Sequence, residues 1–152
     1  MMSEIHIASD HAGVELKSQV IELIKSNLKL TCIDHGPLTT DSVDYPDYAN
    51  KVATALKNKT NALGVLICGS GQGMCLRANK FSYIRAALVY NDEIAKLSRE
   101  HNNANIICLG ARFCSKDEAS QWIQTFINTP FSEGREAQRH IQRVAKISLP
   151  TT

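Results

Sequence analysis

The chain has 152 residues, of which 43% are hydrophobic, and its 17 Lys and Arg against 15 Asp and Glu give a net charge of +2. The basic residues are spread among acidic ones, whereas a nucleic-acid-binding protein usually has a clustered basic face. The longest apolar runs, such as residues 62–68, are far shorter than the roughly 20 residues that span a bilayer. The N-terminus does not resemble a signal peptide. We therefore expect a cytoplasmic protein with one domain over residues 1–152 and no nucleic-acid or membrane partner.

Short apolar runs alternate with longer amphipathic ones along the chain. Strands are predicted over residues 5–8, 30–33, 63–67, 84–89 and 105–109. Helical periodicity predicts helices over residues 12–26, 48–58, 74–79, 92–101 and 116–127. A final helix, for which Ser132 can provide the N-cap, is predicted to run to about Lys146.

The strand-like runs are continuously hydrophobic, which is typical of parallel strands covered on both faces. Their alternation with helices predicts a Rossmann-like α/β fold: a doubly wound three-layer sandwich with a central five-stranded parallel sheet and an extra C-terminal helix. In such sheets, ligands bind at the carboxyl ends of the strands. The residues that directly follow each strand are therefore the candidates for a site.

A glycine-rich turn, Cys-Gly-Ser-Gly-Gln-Gly, occupies residues 68–73 after the most hydrophobic strand. Such a turn can bring backbone N–H groups close to an anion, although a tight strand–helix turn without a ligand is the alternative. Met74 stands where a dinucleotide fingerprint needs glycine, a P-loop needs lysine and a thiol phosphatase loop needs arginine. Those three phosphate motifs are therefore excluded.

Cys68 is a candidate acid–base group because a thiolate is stabilised at a helix N-terminus. It can take a proton from a carbon beside a carbonyl while the N–H groups of the turn stabilise the enediolate oxygen. The alternative is that Cys68 is simply a buried cysteine. The five cysteines contain no CxxC pair, so neither a disulfide framework nor a zinc site of the usual spacing is expected.

The other polar clusters leave alternatives open. Asp10-His11 follows the first strand and can either contact a sugar or cap the next helix, whereas Asp34-His35 is interpreted as a loop. His101 lies at a predicted helix end, where an imidazole usually interacts only with the helix dipole. Arg135, Arg139 and Arg143 share one helix face, which is either a surface charge stripe or a site for a phosphate dianion.

In the order and spacing of these motifs, the chain resembles the B-type ribose-5-phosphate isomerases and their hexose-phosphate isomerase relatives over about residues 5–144. The strings that carry the resemblance are Ser9-Asp10-His11-Ala12-Gly13, Asp44-Tyr45-Pro46, the turn at residues 68–73, His101-Asn102, Gly110-Ala111-Arg112, and Arg135 with Arg139. Ser70 and Gln72 depart from the commonest residues of the family turn. Ser70 keeps the hydroxyl of threonine, and Gln72 replaces an apolar residue.

The resemblance implies an isomerase that interconverts ribose 5-phosphate and ribulose 5-phosphate through an enediolate, in the pentose phosphate pathway and without metal or organic cofactor. Cys68 and His101 would be catalytic, moving the proton between C1 and C2 and opening the furanose ring respectively. The substrate-binding residues would be Asp10, His11, Tyr45, Gly69, Ser70, Gly71, Gln72, Gly73, Asn102, Arg112, Arg135 and Arg139. Of these, the three arginines would bind the phosphate.

The family forms homodimers or pairs of dimers with the active site at the subunit interface, so we expect His101 or some arginines to reach a neighbouring chain. Two other functions remain open at this point. One is the same reaction on a hexose 6-phosphate, such as allose or galactose 6-phosphate. The other is a non-catalytic phosphosugar-binding module, which has no use for a cysteine at the end of a strand.

Overall fold

Five parallel strands form the centre of the protein, in a computed structural model that describes residues 2–150 and their side chains except that of Glu136. The strands lie in the order β2-β1-β3-β5-β4. The strands are β1 (Glu4–Ser9), β2 (Thr31–Asp34), β3 (Ala62–Cys68), β4 (Ala86–Leu88) and β5 (Ile106–Gly110). Because the chain adds β2 on one side of β1 and β3 on the other, the order switches between β1 and β3. Ligands of open α/β sheets bind at such a switch.

Within residues 2–150, six α-helices connect or flank the strands. The first follows a 3₁₀ turn (His11–Gly13) and ends in a π-helical turn (Leu23–Asn27). The helices are α1 (Val14–Glu22), α2 (Tyr45–Ala55), α3 (Gln72–Ala78), α4 (Asp92–Glu100), α5 (Lys116–Asn128) and α6 (Arg135–Ile147). In the described part of the chain, none of them has both the length and the apolar character of a membrane-spanning helix.

The sheet separates two hydrophobic cores. Side chains of α1, α4 and α5, such as Val20, Ala95 and Phe126, pack on one face, and those of α2 and α3, such as Val52 and Met74, pack on the other. Both faces of β3 are buried along its whole length, which explains its unbroken hydrophobic sequence. The predicted three-layer α/β sandwich with a five-stranded parallel sheet is confirmed.

The starts of α2 and α6 differ from the sequence prediction for identifiable reasons. α2 begins at Tyr45 rather than at residue 48, because Pro46 lies in the first turn, where its missing N–H group is not needed. The predicted N-cap at Ser132 is wrong. α6 begins only after Gly134, whose φ of 81° interrupts the helix, while the Ser132 N–H group donates to the carbonyl oxygen of Glu100 at 3.2 Å.

The buried Lys17 of α1 holds the loop after β2 in place. Its ammonium group donates to both carboxylate oxygens of Asp34, at 2.7 and 2.9 Å, and to the carbonyl oxygen of Pro37 at 2.7 Å. These three bonds use all three donors of the ammonium group. Lys17 is only 1% exposed, so the pairing compensates a charge that burial would otherwise make costly. Asp34 is therefore not the loop residue that the sequence predicted: it is the last residue of β2, and its carboxylate has a structural partner.

Candidate active site

The segments that follow β1, β3 and β5 are joined by backbone hydrogen bonds. The N–H group of Asp10 donates to the carbonyl oxygen of Ile67 at 3.0 Å, and that of Ala111 donates to Cys68 at 2.8 Å. The N–H group of Arg112 donates to Gly69 at 3.1 Å. The carboxyl ends of these three strands therefore meet at one edge of the sheet, where the sequence placed the candidate residues.

An open cleft of about 570 Å³ lies at this edge, a size typical of small-molecule sites. Of the predicted side chains, those that line the cleft are Asp10, His11, Tyr45, Cys68 and Arg112. Gly69, Ser70 and Gly73 of the turn line it as well. A carboxylate, an imidazole, a thiol, a phenol and a guanidinium thus converge on one space.

Asp10 and His11 each make a local hydrogen bond and keep one polar atom available. Oδ1 of Asp10 accepts from the N–H groups of Ala12 and Gly13, at 2.9 and 3.2 Å, which leaves Oδ2 for a ligand. Nδ1 of His11 accepts from the N–H group of Val43 at 3.3 Å, which places the ring proton on Nε2. Within residues 2–150, no three His, Cys, Asp or Glu side chains are grouped so that they could hold a metal ion.

The glycines of the turn are required because other groups approach the backbone closely. A Cβ atom at Gly73 would lie 2.5 Å from Cζ of Tyr45, and one at Gly69 would lie 3.2 Å from Nη1 of Arg112. Gly71 has a φ of 78°, and a Cβ atom there would lie 2.8 Å from the carbonyl carbon of Leu109. The absence of side chains thus allows Tyr45 and Arg112 to pack directly on the turn.

The turn is rich in unused backbone donors. In the described part of the chain, the N–H groups of Gly69, Ser70, Gly71 and Gly73 donate to no protein acceptor. Unsatisfied N–H groups at a turn that enters a helix can bind a negatively charged oxygen. The turn can therefore stabilise an oxyanion beside Cys68.

Cys68 is the last residue of β3 and is only 4% exposed, but it contributes to the wall of the cleft. Cys108 on β5 belongs to the same core, one strand away. Burial raises the pKa of Cys108 well above its ordinary value, so this second thiol stays neutral. Cys68 is consequently the thiol that both reaches the cleft and adjoins the donors of the turn.

Gln72 of the turn faces a second, smaller cleft of about 250 Å³ that also contains Tyr90 and Trp122. Ser70 and Phe113 line both clefts. Phe113, which no sequence motif singled out, is 76% exposed despite its large apolar ring. Its position directly after Arg112, in the segment that follows β5, was the signal that could have identified it.

The remaining predicted residues lie away from the Cys68 cleft of the same chain. His101 and Asn102 follow α4, which runs back from the carboxyl end of β4 to the amino end of β5. They are therefore separated from Cys68 by about the length of β5, roughly 15 Å at 3.3 Å per residue. Arg135 and Arg139 are exposed on α6, and the ring of His101 stacks on that of His140 in the same helix. A single chain thus carries the predicted site residues in two groups.

Tyr45 and Gly73 provide a test of the close packing at the turn. We expect Gly73→Ala to destabilise the protein by about 1–3 kcal/mol, because the new methyl group would overlap the Tyr45 ring. In a Tyr45→Ala background the ring is gone, and the same substitution should be neutral or stabilising, since alanine favours helix over glycine. Urea unfolding at one protein concentration measures the change in the free energy of unfolding that Gly73→Ala causes in each background. An equal loss of stability in the two backgrounds would contradict the proposed overlap of the new methyl group with the Tyr45 ring.

The chain is similar to known proteins over nearly its whole length. Residues 5–147 match the family model described as Ribose/Galactose Isomerase. A protein of Mycoplasma pneumoniae named probable ribose-5-phosphate isomerase B is 45% identical, over 97% of this chain and 94% of that protein. The ribose-5-phosphate isomerase B of Mycobacterium leprae is 38% identical, over 93% of this chain and 88% of its own.

Solved structures agree with these relatives. The ribose-5-phosphate isomerase B of Mycoplasma genitalium, determined with bound ribulose-5-phosphate, has a TM-score of 0.90 and 40% identity, covering 97% of this chain and 96% of that one. The Thermotoga maritima enzyme has a TM-score of 0.89 and 41% identity, with 97% and 99% covered. The chain therefore belongs to the ribose/galactose isomerase family.

Proposed function

We propose that the protein is an aldose–ketose isomerase that interconverts D-ribose 5-phosphate and D-ribulose 5-phosphate through an enediolate. The observation that carries the proposal is the placement of Cys68 in an open cleft beside a turn of unused N–H donors. The family supports it, because a relative with 40% identity has been determined with ribulose-5-phosphate bound. No metal or organic cofactor takes part in the reaction that we propose.

The proton transfer is assigned to Cys68. In the open-chain aldehyde, the Cys68 thiolate removes the proton from C2, and the electron pair moves through C1 to the aldehyde oxygen. The N–H groups of Gly69, Ser70, Gly71 and Gly73 stabilise the resulting oxyanion, an interaction in which one donor is worth about 10²–10³ in rate. Return of the proton to C1 and transfer of the O2 hydroxyl proton to O1 give the ketose, so every proton is accounted for.

The sugar and its phosphate use the remaining groups. Oδ2 of Asp10, Nε2–H of His11 and the Tyr45 hydroxyl are proposed to bind sugar oxygens in the cleft that these residues line. Arg112 brings a positive charge to the same cleft and can bind the phosphate in a bidentate manner. To complete the site we assign His101 to ring opening, Asn102 to sugar binding, and Arg135 and Arg139 to the phosphate.

These last four residues are proposed to come from a second copy of the chain in a homodimer. None of them lines the Cys68 cleft of its own chain: the course of α4 and β5 separates His101 and Asn102 from it, and the stack of His140 on His101 holds α6 on their side. Apolar side chains are also left exposed, as is common where a partner binds. They include Leu76 on α3, Phe113 beside the cleft, and Ile141 and Ile147 on α6. An isologous dimer would cover such surfaces and complete two sites at once.

Removal of the thiol tests the chemistry directly. We expect Cys68→Ala to lower kcat by about 10²–10⁴, the usual contribution of a general base, while ribose 5-phosphate still binds. Steady-state kinetics and calorimetric titration measure the two effects. Cys32→Ala is the matched control, because Cys32 lies on the edge strand β2 and burial raises the pKa of its thiol to about 11. Undiminished turnover in Cys68→Ala would leave a phosphosugar-binding module as the better description.

A hexose 6-phosphate, such as allose or galactose 6-phosphate, is the second candidate substrate, because the matching family model covers both ribose and galactose isomerases. The reaction and the residues would be the same, and only the depth of the completed site would differ. We expect kcat/KM to be higher for ribose 5-phosphate than for allose 6-phosphate or galactose 6-phosphate when all three are assayed with one preparation. A preference for either hexose would reverse the assignment without affecting the role of Cys68.

Mixing two inactive variants tests the shared site. In a heterodimer of Cys68→Ala with His101→Ala, one of the two sites has lost both residues and the other is intact. Random reassortment of subunits should therefore restore about one quarter of the wild-type activity. Native mass spectrometry verifies that heterodimers have formed. If they form and the mixture stays as inactive as its components, Cys68 and His101 do not act in a site between chains.

A further inference from the structure

His140 on α6 is a buried imidazole that no step of the proposed reaction uses. It is 5% exposed, and its ring lies parallel to that of His101, with a centroid separation of 4.2 Å and an interplanar angle of 9°. His101 is the C-cap residue of α4, and its own N–H group donates to the carbonyl oxygen of Leu97 at 2.9 Å. The flat face of His140 therefore limits the orientations that the His101 ring can adopt.

The contact between these rings joins α6 to the rest of the chain. Among the described residues, no side chain of α6 belongs to either hydrophobic core, although Ala137 is buried. Close to the stack, the N–H group of Ser132 donates to the carbonyl oxygen of Glu100, which fixes the segment that leads into α6. The ring stack and this hydrogen bond together fix the position of α6 relative to the end of α4.

We propose that His140 is a positioning residue that fixes the His101 imidazole for ring opening and sets its distance from the phosphate-binding face of α6. The inference rests on the proposed function, in which His101 opens the furanose and Arg135 and Arg139 hold the phosphate. Arg139 directly precedes His140 in the helix, so one short segment of α6 connects the positioning of His101 with phosphate binding. Ring opening requires a proton to leave the anomeric hydroxyl and another to reach the ring oxygen, and an imidazole assists these transfers when it is correctly oriented.

A pair of apolar substitutions separates stacking from simple space filling. His140→Phe keeps a flat ring that can lie against His101, whereas His140→Leu fills the site with a branched side chain that cannot stack. We expect His140→Leu to lower kcat on ribose 5-phosphate by roughly ten- to a hundredfold, the usual cost of a misplaced catalytic group. His140→Phe should remain within about threefold of the wild type. Gln138→Ala, at an exposed position of the same helix, is the control.

A second substrate isolates the ring-opening step. 4-Deoxyribose 5-phosphate has no hydroxyl at C4 and carries its phosphate on O5, so it cannot close a ring and remains an open-chain aldehyde. Its isomerisation needs Cys68 and the phosphate site but not ring opening. We therefore expect His140→Leu and His101→Ala to turn over this compound within about twofold of the wild-type rate.

Three results would overturn the inference: an unimpaired His140→Leu, a His140→Phe as slow as His140→Leu, or an equal loss on both substrates. The last would mean that the substitution disturbs α6 as a whole, and light scattering would report any loss of the dimer. His101→Ala separates this failure from that of the proposed function. If His101→Ala is slow on ribose 5-phosphate and His140→Leu is not, only the role of His140 is refuted. If His101→Ala is also unimpaired, the ring-opening assignment is wrong.

Discussion

The site depends on a steric constraint: the turn between β3 and α3 has room for backbone but not for side chains. Tyr45 approaches this turn at Gly73, Arg112 approaches it at Gly69, and the end of β5 approaches it at Gly71. A Cβ atom at these positions would overlap or crowd the approaching group. Because the side chains are absent, the N–H groups of the turn stay uncovered beside Cys68. The same constraint thus brings a phenol, a guanidinium and a thiol to one cleft and leaves donors for an oxyanion.

The parallel sheet explains why one chain carries the site residues in two groups. Cys68 lies at the carboxyl end of β3, whereas α4 returns the chain to the amino end of β5 and leaves His101 there. In the proposed reaction, the residues assigned to ring opening and to part of the phosphate binding are thereby separated from Cys68 by about the length of a strand. A second copy of the chain is the simplest source of the missing groups, and the exposed apolar residues of α6 are consistent with such a partner.

Much of this arrangement could be predicted from sequence, because it follows from short-range patterns. The unbroken hydrophobic run of β3 predicted a central parallel strand, and the glycines after it predicted a close approach of ligand or protein. The start of α6 could not be predicted in this way, since Ser132 is a good capping residue but its N–H group bonds to Glu100 of a distant element. The contact partners of Lys17 and His140 could not be predicted from the sequence either. Each lies on another element, and only the folded chain brings them together.

A crystal structure of the protein with ribulose 5-phosphate bound tests the proposed site most directly, in which one chain moves the proton and a second copy opens the ring. We expect C1 and C2 of the sugar to lie near van der Waals contact, about 3.5 Å, from Sγ of Cys68. We also expect the phosphate to contact Arg135 and Arg139 of the partner subunit together with Arg112. A sugar bound with these carbons away from Cys68, or a phosphate held by one chain alone, would contradict the proposed site.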